Sequence, residues 1–406
     1  MTNFSLYIHY PFCIKRCPYC GFATAVEKED LAVKYREALL IELKQRAIEE
    51  PWRNGTVETI YFGGGTPSLM PPEYVGEVIE LVRGLWRFAV EGDPPLPPPA
   101  IAGRERTGSS EIAGGESAVE ITLEANPETR DIKAFRGFRE AGVNRISMGA
   151  QSFDPEELKV LGRAHSVDGV REAVVMAGDA GFDNLSLDLI YGVPGQTVES
   201  FRRSVECAIG LGIEHLSTYT LSIEEGTPFA RSVKEKRLPN PDPDLMADQY
   251  EVLIELTRAS GFEHYELTNY GKPGLFSRHN SAYWQRTPFL GVGCGAHSFD
   301  GTLRFWNRRD TRQHIAAVHS GKDPREGEES LTLADVMQEQ LYLELRQAHG
   351  LLPSEVNRLC NPEVVEELLN SAFLVWQNGR LRVTEEKWLM LDEIVLRLQN
   401  RSHHPD

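Results

Sequence analysis

The chain has 406 residues, of which 41% are hydrophobic and 25% are charged, a composition typical of a globular protein with one large core and a smaller second domain. Its formal net charge of −17 argues against nucleic acid or an anionic membrane surface as a partner, because both repel a strongly acidic protein. The sequence shows no signal peptide, no apolar stretch long enough to span a bilayer and no disulfide framework among its six cysteines, so we expect a cytoplasmic protein.

Strands alternate with helices along the first half of the chain. The pattern predicts strands at residues 4–9, 57–62, 119–124, 144–149, 184–190 and 215–221, and helices at residues 30–50, at 72–88 and between the later strands. Six βα units predict a parallel sheet wrapped by helices. Because six units are too few for a closed eight-stranded barrel, we expect an open, three-quarter (β/α)6 barrel of the α/β class. The chemistry of such folds lies at the C-terminal ends of the strands.

Composition divides the chain further. Residues 92–117 are rich in Pro, Gly and Ser and are predicted to form a disordered surface insertion. We expect a barrel over residues 1–230, an extension over 231–310 and a smaller domain over 311–400.

The last domain is predicted to be winged-helix-like. Its helices are expected at 332–347, 354–359 and 363–369, followed by a hairpin of strands 373–376 and 380–383 that turns at Asn378-Gly379, and a final helix at 385–398. Residues 331–400 carry six basic and eleven acidic residues, so packing or partner docking is a better hypothesis than DNA binding.

Three cysteines after the first strand, Cys13, Cys17 and Cys20, follow the spacing C-x3-C-x2-C. Closely spaced thiolates suit an iron–sulfur cluster, because soft sulfur ligands hold iron tightly. Three cysteines ligate only three corners of a four-iron cube and leave the fourth iron open to another ligand. The alternative is a zinc site completed by His9. We favour the cluster, because a structural zinc knuckle is not expected on the loop after the first strand of a βα barrel.

Glycines and polar residues follow the other strands. The segment Gly63-Gly64-Gly65-Thr66-Pro67 comes directly after the second strand and favours close backbone approach by a ligand, although a tight turn needing positive φ is the alternative. Several polar residues lie at the same end of the barrel and predict the lining of a polar pocket, in which acids take ribose hydroxyls and Arg or Gln takes a carboxylate or ribose oxygen: Glu124, Ser147, Gln151, Arg163 and Asp188. Each of them alone would more commonly be a satisfied polar residue or a helix cap.

Five motifs in this order resemble the radical S-adenosylmethionine proteins of the oxygen-independent coproporphyrinogen III dehydrogenase family. They are Y-I-H-x-P-F-C-x3-C-x-Y-C, G-G-G-T-P, R-x-S-x-G-x-Q, L-G-R-x-H and D-L-I-Y-G-x-P-G-Q, and the match to the family covers about residues 7–299. The resemblance implies that Cys13, Cys17 and Cys20 hold a [4Fe–4S] cluster and that S-adenosylmethionine chelates the fourth iron. The positions that match the family's S-adenosylmethionine site are Tyr7, Gly64, Gly65, Thr66, Glu124, Gln151, Arg163 and Asp188.

Three features are similar to the HemW branch of that family, which comprises proposed heme chaperones. The dehydrogenases carry a further cysteine where this chain has Phe22, and a substantial segment before the first strand where this sequence has twelve residues before Cys13. The sequence His279-Asn280-Ser281-Ala282-Tyr283-Trp284 matches the H-N-x-x-Y-W signature of the branch. Heme contacts at His279, Tyr283 and Trp284 are therefore predicted, and the alternative is a hydrogen-bonded loop histidine beside a core tryptophan.

The resemblance leads to a first hypothesis of a heme chaperone. It would bind the cluster, S-adenosylmethionine and heme, and deliver heme to an acceptor such as a respiratory hemoprotein, reaching a membrane only through that partner. The second hypothesis is the coproporphyrinogen III dehydrogenase itself, in which a reduced cluster cleaves S-adenosylmethionine to a radical that abstracts hydrogen from propionate side chains. Radical chemistry on an unrelated substrate is a third. The sequence leaves open the acceptor, cleavage of S-adenosylmethionine and formation of a homodimer.

Overall fold

The computed structural model describes residues 2–90, 119–129 and 131–399, so the insertion predicted at 92–117 lies outside the described residues. Six parallel strands form the centre of its main sheet, and their order in the sheet follows their order in the chain. This arrangement confirms the prediction of an open barrel of six βα units. The strands are β1 (Asn3–Tyr10), β2 (Thr56–Gly64), β3 (Glu120–Ala125), β4 (Arg145–Gln151), β5 (Leu185–Tyr191) and β6 (His215–Thr220).

Helices connect the strands and continue beyond them. Apolar faces of these helices are buried against the sheet, as the repeat of three to four residues between buried positions in α2 illustrates (Val75, Val78, Ile79 and Val82). The helices are α1 (Glu29–Arg46), α2 (Pro72–Leu85), α3 (Ile132–Glu140), α4 (Pro155–Val160), α5 (Val167–Asp179), α6 (Val198–Gly210), α7 (Pro228–Lys234), α8 (Pro243–Ala259), α9 (Arg278–Trp284) and α10 (Thr311–His319). In the part of the chain that the structure describes, no helix is long and apolar enough to cross a membrane.

The sheet extends past both ends of the predicted barrel. The added strands are β7 (Glu263–Glu266), β8 (Asn269–Gly271), β9 (Phe289–Val292), β10 (His297–Phe299), β11 (Leu303–Asn307) and β12 (Arg325–Ser330). Strand β9 pairs in parallel with β1, whereas β8 pairs antiparallel with β6. The sheet therefore runs β7-β8-β6-β5-β4-β3-β2-β1-β9-β10-β11-β12, and its two edge strands are not paired with each other within the described residues.

The C-terminal segment contains helices and a hairpin. The helices are α11 (Leu333–Leu345), α12 (Pro353–Leu359), α13 (Pro362–Asn370) and α14 (Leu391–Leu398), and the hairpin strands are β13 (Leu374–Gln377) and β14 (Arg380–Val383). Asn378 and Gly379 both have positive φ, 52° and 74°, as a two-residue type I′ turn requires. The main hydrophobic core continues from Phe4 to Leu398. The domain boundaries and the likeness to a winged helix stay predictions.

The inner face of the barrel is polar. Side chains alternate along a strand, so Arg145 and Ser147 of β4 share one face, whereas the register of β4 shifts between Met148 and Gln151. The hydrogen bond from the Ser147 hydroxyl to Asp188 of β5 shows that polar side chains of the two strands share this face, whereas Ile146 and Met148 on the other face belong to the hydrophobic core. Parallel strands thus bring polar residues that are distant in sequence to one interior.

Candidate S-adenosylmethionine and cluster site

The loop that carries the three cysteines leaves the C-terminal end of β1 and is held at its base. Residues Phe12–Cys13 pair in parallel with Ala25–Val26, and the Glu27 amide donates to the Cys13 carbonyl oxygen at 3.0 Å. Within the loop, the Cys20 amide donates to the Cys17 carbonyl oxygen at 3.2 Å. All three thiols are free and partly exposed, at the end of the barrel where the sequence predicted the chemistry.

Two elements from the far side of the barrel brace this loop. The Phe229 amide of α7 donates to the carbonyl oxygen of Pro18 at 3.0 Å. Gly162, with φ of 68°, packs so closely on the same proline that an added Cβ would lie 2.6 Å from its Cδ. A side chain at Gly162 would displace the segment between Cys17 and Cys20, so glycine is required there for packing as well as for its backbone conformation.

The glycine segment after β2 also packs against the cysteine loop. The Gly65 amide donates to Tyr10 at 2.7 Å and the Thr66 amide to Phe12 at 2.8 Å, both at backbone carbonyl oxygens. A Cβ on Gly65 would lie 2.6 Å from the Phe12 carbonyl oxygen. Gly64 has φ of 115°, so the turn interpretation is correct for this residue, and ligand contact by the segment stays a prediction.

Glu124, at the end of β3, is tied to β2 through both carboxylate oxygens. One oxygen accepts the Tyr61 hydroxyl at 2.9 Å and the other accepts the Gly64 amide at 3.0 Å. Burial raises the pKa of Glu124 to about 7, the Tyr61 hydrogen bond opposes that rise, and the nearby charge of Asp188 adds to it. The two hydrogen bonds therefore hold the carboxylate in place. Because its pKa lies near neutral pH, a small fall in pH converts it from an acceptor to a proton donor.

Asp188 lies on the neighbouring side of the same interior. It accepts the Ser147 hydroxyl at 3.2 Å. Burial raises its pKa to about 6, although Arg145 and the hydroxyls of Ser147 and Ser217 oppose the rise. Glu124 and Asp188 thus place two carboxylates with raised pKa values in one polar interior. Such groups can accept hydrogen bonds from ligand hydroxyl groups, which is the role that the sequence predicted for them.

Arg163 links the cysteine loop to β3 and β4. Its guanidinium donates to the Gly149 carbonyl oxygen at 3.0 Å, to the side-chain oxygen of Asn126 and to the sulfur of Cys17 at 3.4 Å. Asn126 in turn donates to the Thr66 hydroxyl at 2.9 Å. These hydrogen bonds thus connect the cysteine loop, β4 and the segments that follow β2 and β3.

Gln151 ends β4 in the left-handed region, with φ of 65°. That conformation is uncommon for a residue other than glycine and recurs at ligand sites. Gly149 precedes it in β4, and a Cβ there would lie 2.6 Å from the Gln151 side-chain nitrogen and 3.1 Å from the Asn126 oxygen. On the opposite side of the barrel, the Tyr7 hydroxyl lies 3.1 Å from the His9 Nδ1 atom. The Gln151, Asn126 and Arg163 side chains therefore pack closely above Gly149, where one added methyl group would displace them.

The cysteine donor set fits an iron–sulfur cluster. Burial raises the pKa of the Cys13 thiol to about 11, the Thr66 hydroxyl opposes that rise, and Cys20 and Cys17 increase it, so bound metal cations would offset an unfavourable grouping of thiolates. His9, the fourth ligand of the zinc alternative, has its ring nitrogens 3.1 Å from the Tyr7 hydroxyl and 3.1 Å from the Ala23 carbonyl oxygen. The fit therefore concerns residue type and spacing: within residues 2–90, 119–129 and 131–399, no group of three His, Cys, Asp or Glu side chains is close enough to hold a metal ion, and the three cysteines are included in that statement.

The residues of the H-N-x-x-Y-W motif lie in α9, and His279 contacts Thr59 of β2. His279 is 1% exposed, and its ring nitrogens lie 2.7 Å from the Thr59 hydroxyl and 2.9 Å from the Tyr283 hydroxyl. The Trp284 indole nitrogen is buried without a hydrogen-bond partner among the described residues, and the Arg346 guanidinium lies 4.1 Å from its ring centroid. Contact of these three motif residues with heme stays a prediction.

Sequence reasoning missed Tyr61 and Asn126. Tyr61 precedes the glycine segment by two positions and shares a face of β2 with Gly63, so strand alternation could have placed it inside the barrel. Asn126 follows the end of β3, and its contacts with Thr66 and Arg163 depend on how three separate loops meet. The local sequence of each loop does not indicate that the three loops contact one another.

Residues 7–208 match the family model of the radical SAM superfamily, which is the class of protein that the open barrel and the cysteine loop define. The chain is also 32% identical over 397 residues to heme chaperone HemW of Mycobacterium tuberculosis, covering 97% of this chain and 94% of that protein. It is 30% identical to heme chaperone HemW of Lactococcus lactis, with coverage of 94% and 93%. The chain belongs to the HemW family of radical SAM proteins, which confirms the resemblance seen in the motifs.

A solved structure supports the fold. Coproporphyrinogen III oxidase (HemN) from Escherichia coli, a radical SAM enzyme, superimposes with a TM-score of 0.79 at 22% identity, covering 98% of this chain and 90% of that one. At this identity the likeness concerns the fold alone. Membership of the radical SAM class implies a [4Fe–4S] cluster and S-adenosylmethionine as cofactors.

Proposed function

We propose that this protein is a heme chaperone, which binds heme and passes it to an acceptor hemoprotein, and which uses a [4Fe–4S] cluster and S-adenosylmethionine in doing so. The observation that carries the proposal is the match, along almost the whole chain, to proteins named heme chaperone HemW. The acceptor would be a hemoprotein such as a respiratory one, and contact with a membrane would come through that partner.

In the proposed site, Cys13, Cys17 and Cys20 would hold the cluster, which would supply an open iron for S-adenosylmethionine to chelate. The chain's own residues then bind and orient that cofactor. The carboxylates of Glu124 and Asp188 accept its ribose hydroxyl groups. The remaining predicted contacts, which enclose the cofactor between the strand ends and the glycine segment, are Tyr7, Gly64, Gly65, Thr66, Gln151 and Arg163.

Exposed side chains on the cysteine loop support heme as the cargo. Ile14, Phe22 and Val26 are 55%, 69% and 53% exposed, which is unusual for large apolar side chains. Lys15 and Arg16 follow Ile14 and are exposed as well. A flat apolar macrocycle with two carboxylates matches this combination of apolar and cationic side chains, on a protein whose net charge is otherwise strongly negative.

A heme titration of the cluster-reconstituted full chain, followed by transfer to an apo-hemoprotein, tests the proposal. We expect uptake of about one heme per chain and its appearance in the acceptor. Removing the Phe22 ring, which would lose about 1–2 kcal/mol of apolar contact, should weaken heme binding about 5- to 30-fold in Phe22→Ala. Leu396→Ala is the matched control, because Leu396 is 63% exposed on α14, outside the cysteine loop.

The dehydrogenase hypothesis predicts a different result. In an anaerobic mixture with coproporphyrinogen III, S-adenosylmethionine and a reductant, a chaperone should form no protoporphyrinogen. Catalytic formation of protoporphyrinogen, together with no transfer of heme, would overturn the proposal. Equal heme affinities of Phe22→Ala and Leu396→Ala would remove the cysteine loop from the heme site but leave the chaperone function standing.

A further inference from the structure

His279 packs against Tyr61, a neighbour of the proposed S-adenosylmethionine site, and both of its ring nitrogens are in use. Nδ1 lies 2.7 Å from the Thr59 hydroxyl and Nε2 lies 2.9 Å from the Tyr283 hydroxyl. Its backbone amide donates to the Glu120 carboxylate at 3.0 Å. A heme iron would need a free ring nitrogen, so ligation by His279 would break one of these bonds and open a side chain that is 1% exposed.

The His279 ring also supports the residue that positions Glu124. The rings of His279 and Tyr61 stack with centroids 4.8 Å apart and an interplanar angle of 26°. The hydroxyl of Tyr61 donates to Glu124 at 2.9 Å, and the same carboxylate accepts the Gly64 amide at 3.0 Å. The Tyr7 ring packs on Tyr61 with centroids 6.1 Å apart. The histidine therefore contacts the pocket mainly through Tyr61, and its ring also lies near that of Tyr7, with centroids 6.4 Å apart.

The charge state of His279 agrees with this role. Burial, with a smaller contribution from Arg145, lowers its pKa to about 3, so the ring is neutral at physiological pH. A neutral imidazole offers one donor and one acceptor, which two hydroxyl partners can satisfy. The ring is thus held in one orientation by hydrogen bonds at both ends, and the face that it presents to Tyr61 is fixed.

We infer that His279 is a positioning residue for S-adenosylmethionine, which acts by fixing the Tyr61 ring and, through it, the Glu124 carboxylate and the Gly64 turn. The inference rests on the proposed function, and it gives the H-N-x-x-Y-W histidine a role different from the heme contact that the sequence predicted.

The chain contains a matched control for this inference. His215 of β6 is 0% exposed, and its ring nitrogens lie 2.8 Å from the Ser186 hydroxyl and 2.8 Å from the Tyr265 hydroxyl. It has the same kind of surroundings as His279 in the same barrel. Among the described residues, however, its ring contact is with Tyr265, and it has no contact with Tyr61 or Glu124. Loss of stability from removing a buried histidine should appear in variants of both His279 and His215. A loss of S-adenosylmethionine affinity should appear only in the His279 variant.

The experiment compares His279→Ala with His215→Ala in the full chain, with the cluster reconstituted anaerobically. S-adenosylmethionine affinity is measured by equilibrium dialysis, heme binding by titration of the Soret band, and stability by thermal unfolding. We expect the S-adenosylmethionine dissociation constant to rise about tenfold in His279→Ala, because an aromatic stack and a positioned hydrogen bond are lost, and to stay within about twofold of wild type in His215→Ala. Heme stoichiometry and the Soret maximum should be unchanged in both variants.

The pH dependence of S-adenosylmethionine binding separates positioning from simple packing. The Tyr61 hydrogen bond holds down the pKa of Glu124, so a loosened Tyr61 should move the midpoint of binding to higher pH in His279→Ala alone. The other ionisable groups that face Glu124 are Asp188 and the phenols of Tyr7, Tyr219 and Tyr283, and all of them remain in both variants. If His279→Ala does not fold, His279→Asn retains hydrogen-bonding groups without the stacked ring and should show the same shift.

Three results would overturn the inference. The first is an equal change in S-adenosylmethionine affinity in the two histidine variants. The second is a lost or shifted Soret band in His279→Ala with unchanged S-adenosylmethionine affinity, which would support the heme contact instead. The third is a wild-type protein that binds no S-adenosylmethionine. That third result would also overturn the cofactor site of the proposed function, whereas the first two leave it intact.

Discussion

Gly149→Ala adds one methyl group to the proposed pocket and tests the pocket directly. The new Cβ would lie 2.6 Å from the Gln151 side-chain nitrogen and 3.1 Å from the Asn126 oxygen, whereas ordinary contact begins at 3.4 Å. The Gln151 amide, which is one of the proposed contacts of S-adenosylmethionine, must therefore shift by about 0.8 Å. Overpacking typically costs about 1–3 kcal/mol, and because the displaced atoms are the ends of side chains that can move, we expect a cost near about 1 kcal/mol, which corresponds to about fivefold weaker binding if it falls on the bound state.

Gly178→Ala is the matched control for this substitution. Gly178 lies in α5, and a Cβ there would meet no atom within 4 Å, so alanine should leave binding unchanged and stabilise the helix slightly. Equilibrium dialysis of S-adenosylmethionine against the two reconstituted variants gives the comparison, and thermal unfolding checks that both are folded. An affinity of Gly149→Ala equal to that of Gly178→Ala and wild type would refute the placement of the pocket beside β4.

Three further predictions concern the same site. S-adenosylmethionine binding should weaken as the pH falls through about 7 and then about 6, because protonation removes first the Glu124 and then the Asp188 carboxylate as acceptors, and dialysis across that range should lose its upper step in Glu124→Gln. Asn126→Ala should lower the free energy of unfolding by about 1–2 kcal/mol in urea denaturation, because it removes a partner of the half-buried Arg163 guanidinium, and an unchanged value would contradict the importance of that hydrogen bond. Cys17→Ser should abolish the brown absorbance of the reconstituted protein, and an unchanged spectrum and iron content would show that Cys17 is not a ligand.

The sequence predicted those parts of the fold that depend on local patterns. The six barrel strands follow from their apolar runs, and the hairpin turn follows from Asn378-Gly379, a pair that tolerates positive φ at both positions. The strands that extend the sheet were not predicted. Strand β9 pairs with β1 across more than 280 residues of sequence, from Ser5 to Phe289, and its Gly-rich neighbourhood gives no strand signal of its own.

The candidate site shows the same division. The cysteines and Glu124 were predicted because residue type and position at a strand end identify them. The chain from Thr66 through Asn126 to Arg163 was not, because it forms only when the loops after β2, β3 and α4 meet. Likewise, the motif that contains His279 was visible in the sequence, but its position beneath Tyr61 depends on how α9 packs against β2.

The most direct test of the account is the metal content of anaerobically purified and reconstituted wild-type protein. If three cysteines hold a cube of iron and sulfide, elemental analysis should give about four iron and four sulfide per chain, and added S-adenosylmethionine should perturb the cluster's electron paramagnetic resonance signal in the reduced protein. One zinc per chain in place of that iron, or a cluster signal that S-adenosylmethionine leaves unchanged, would contradict the account.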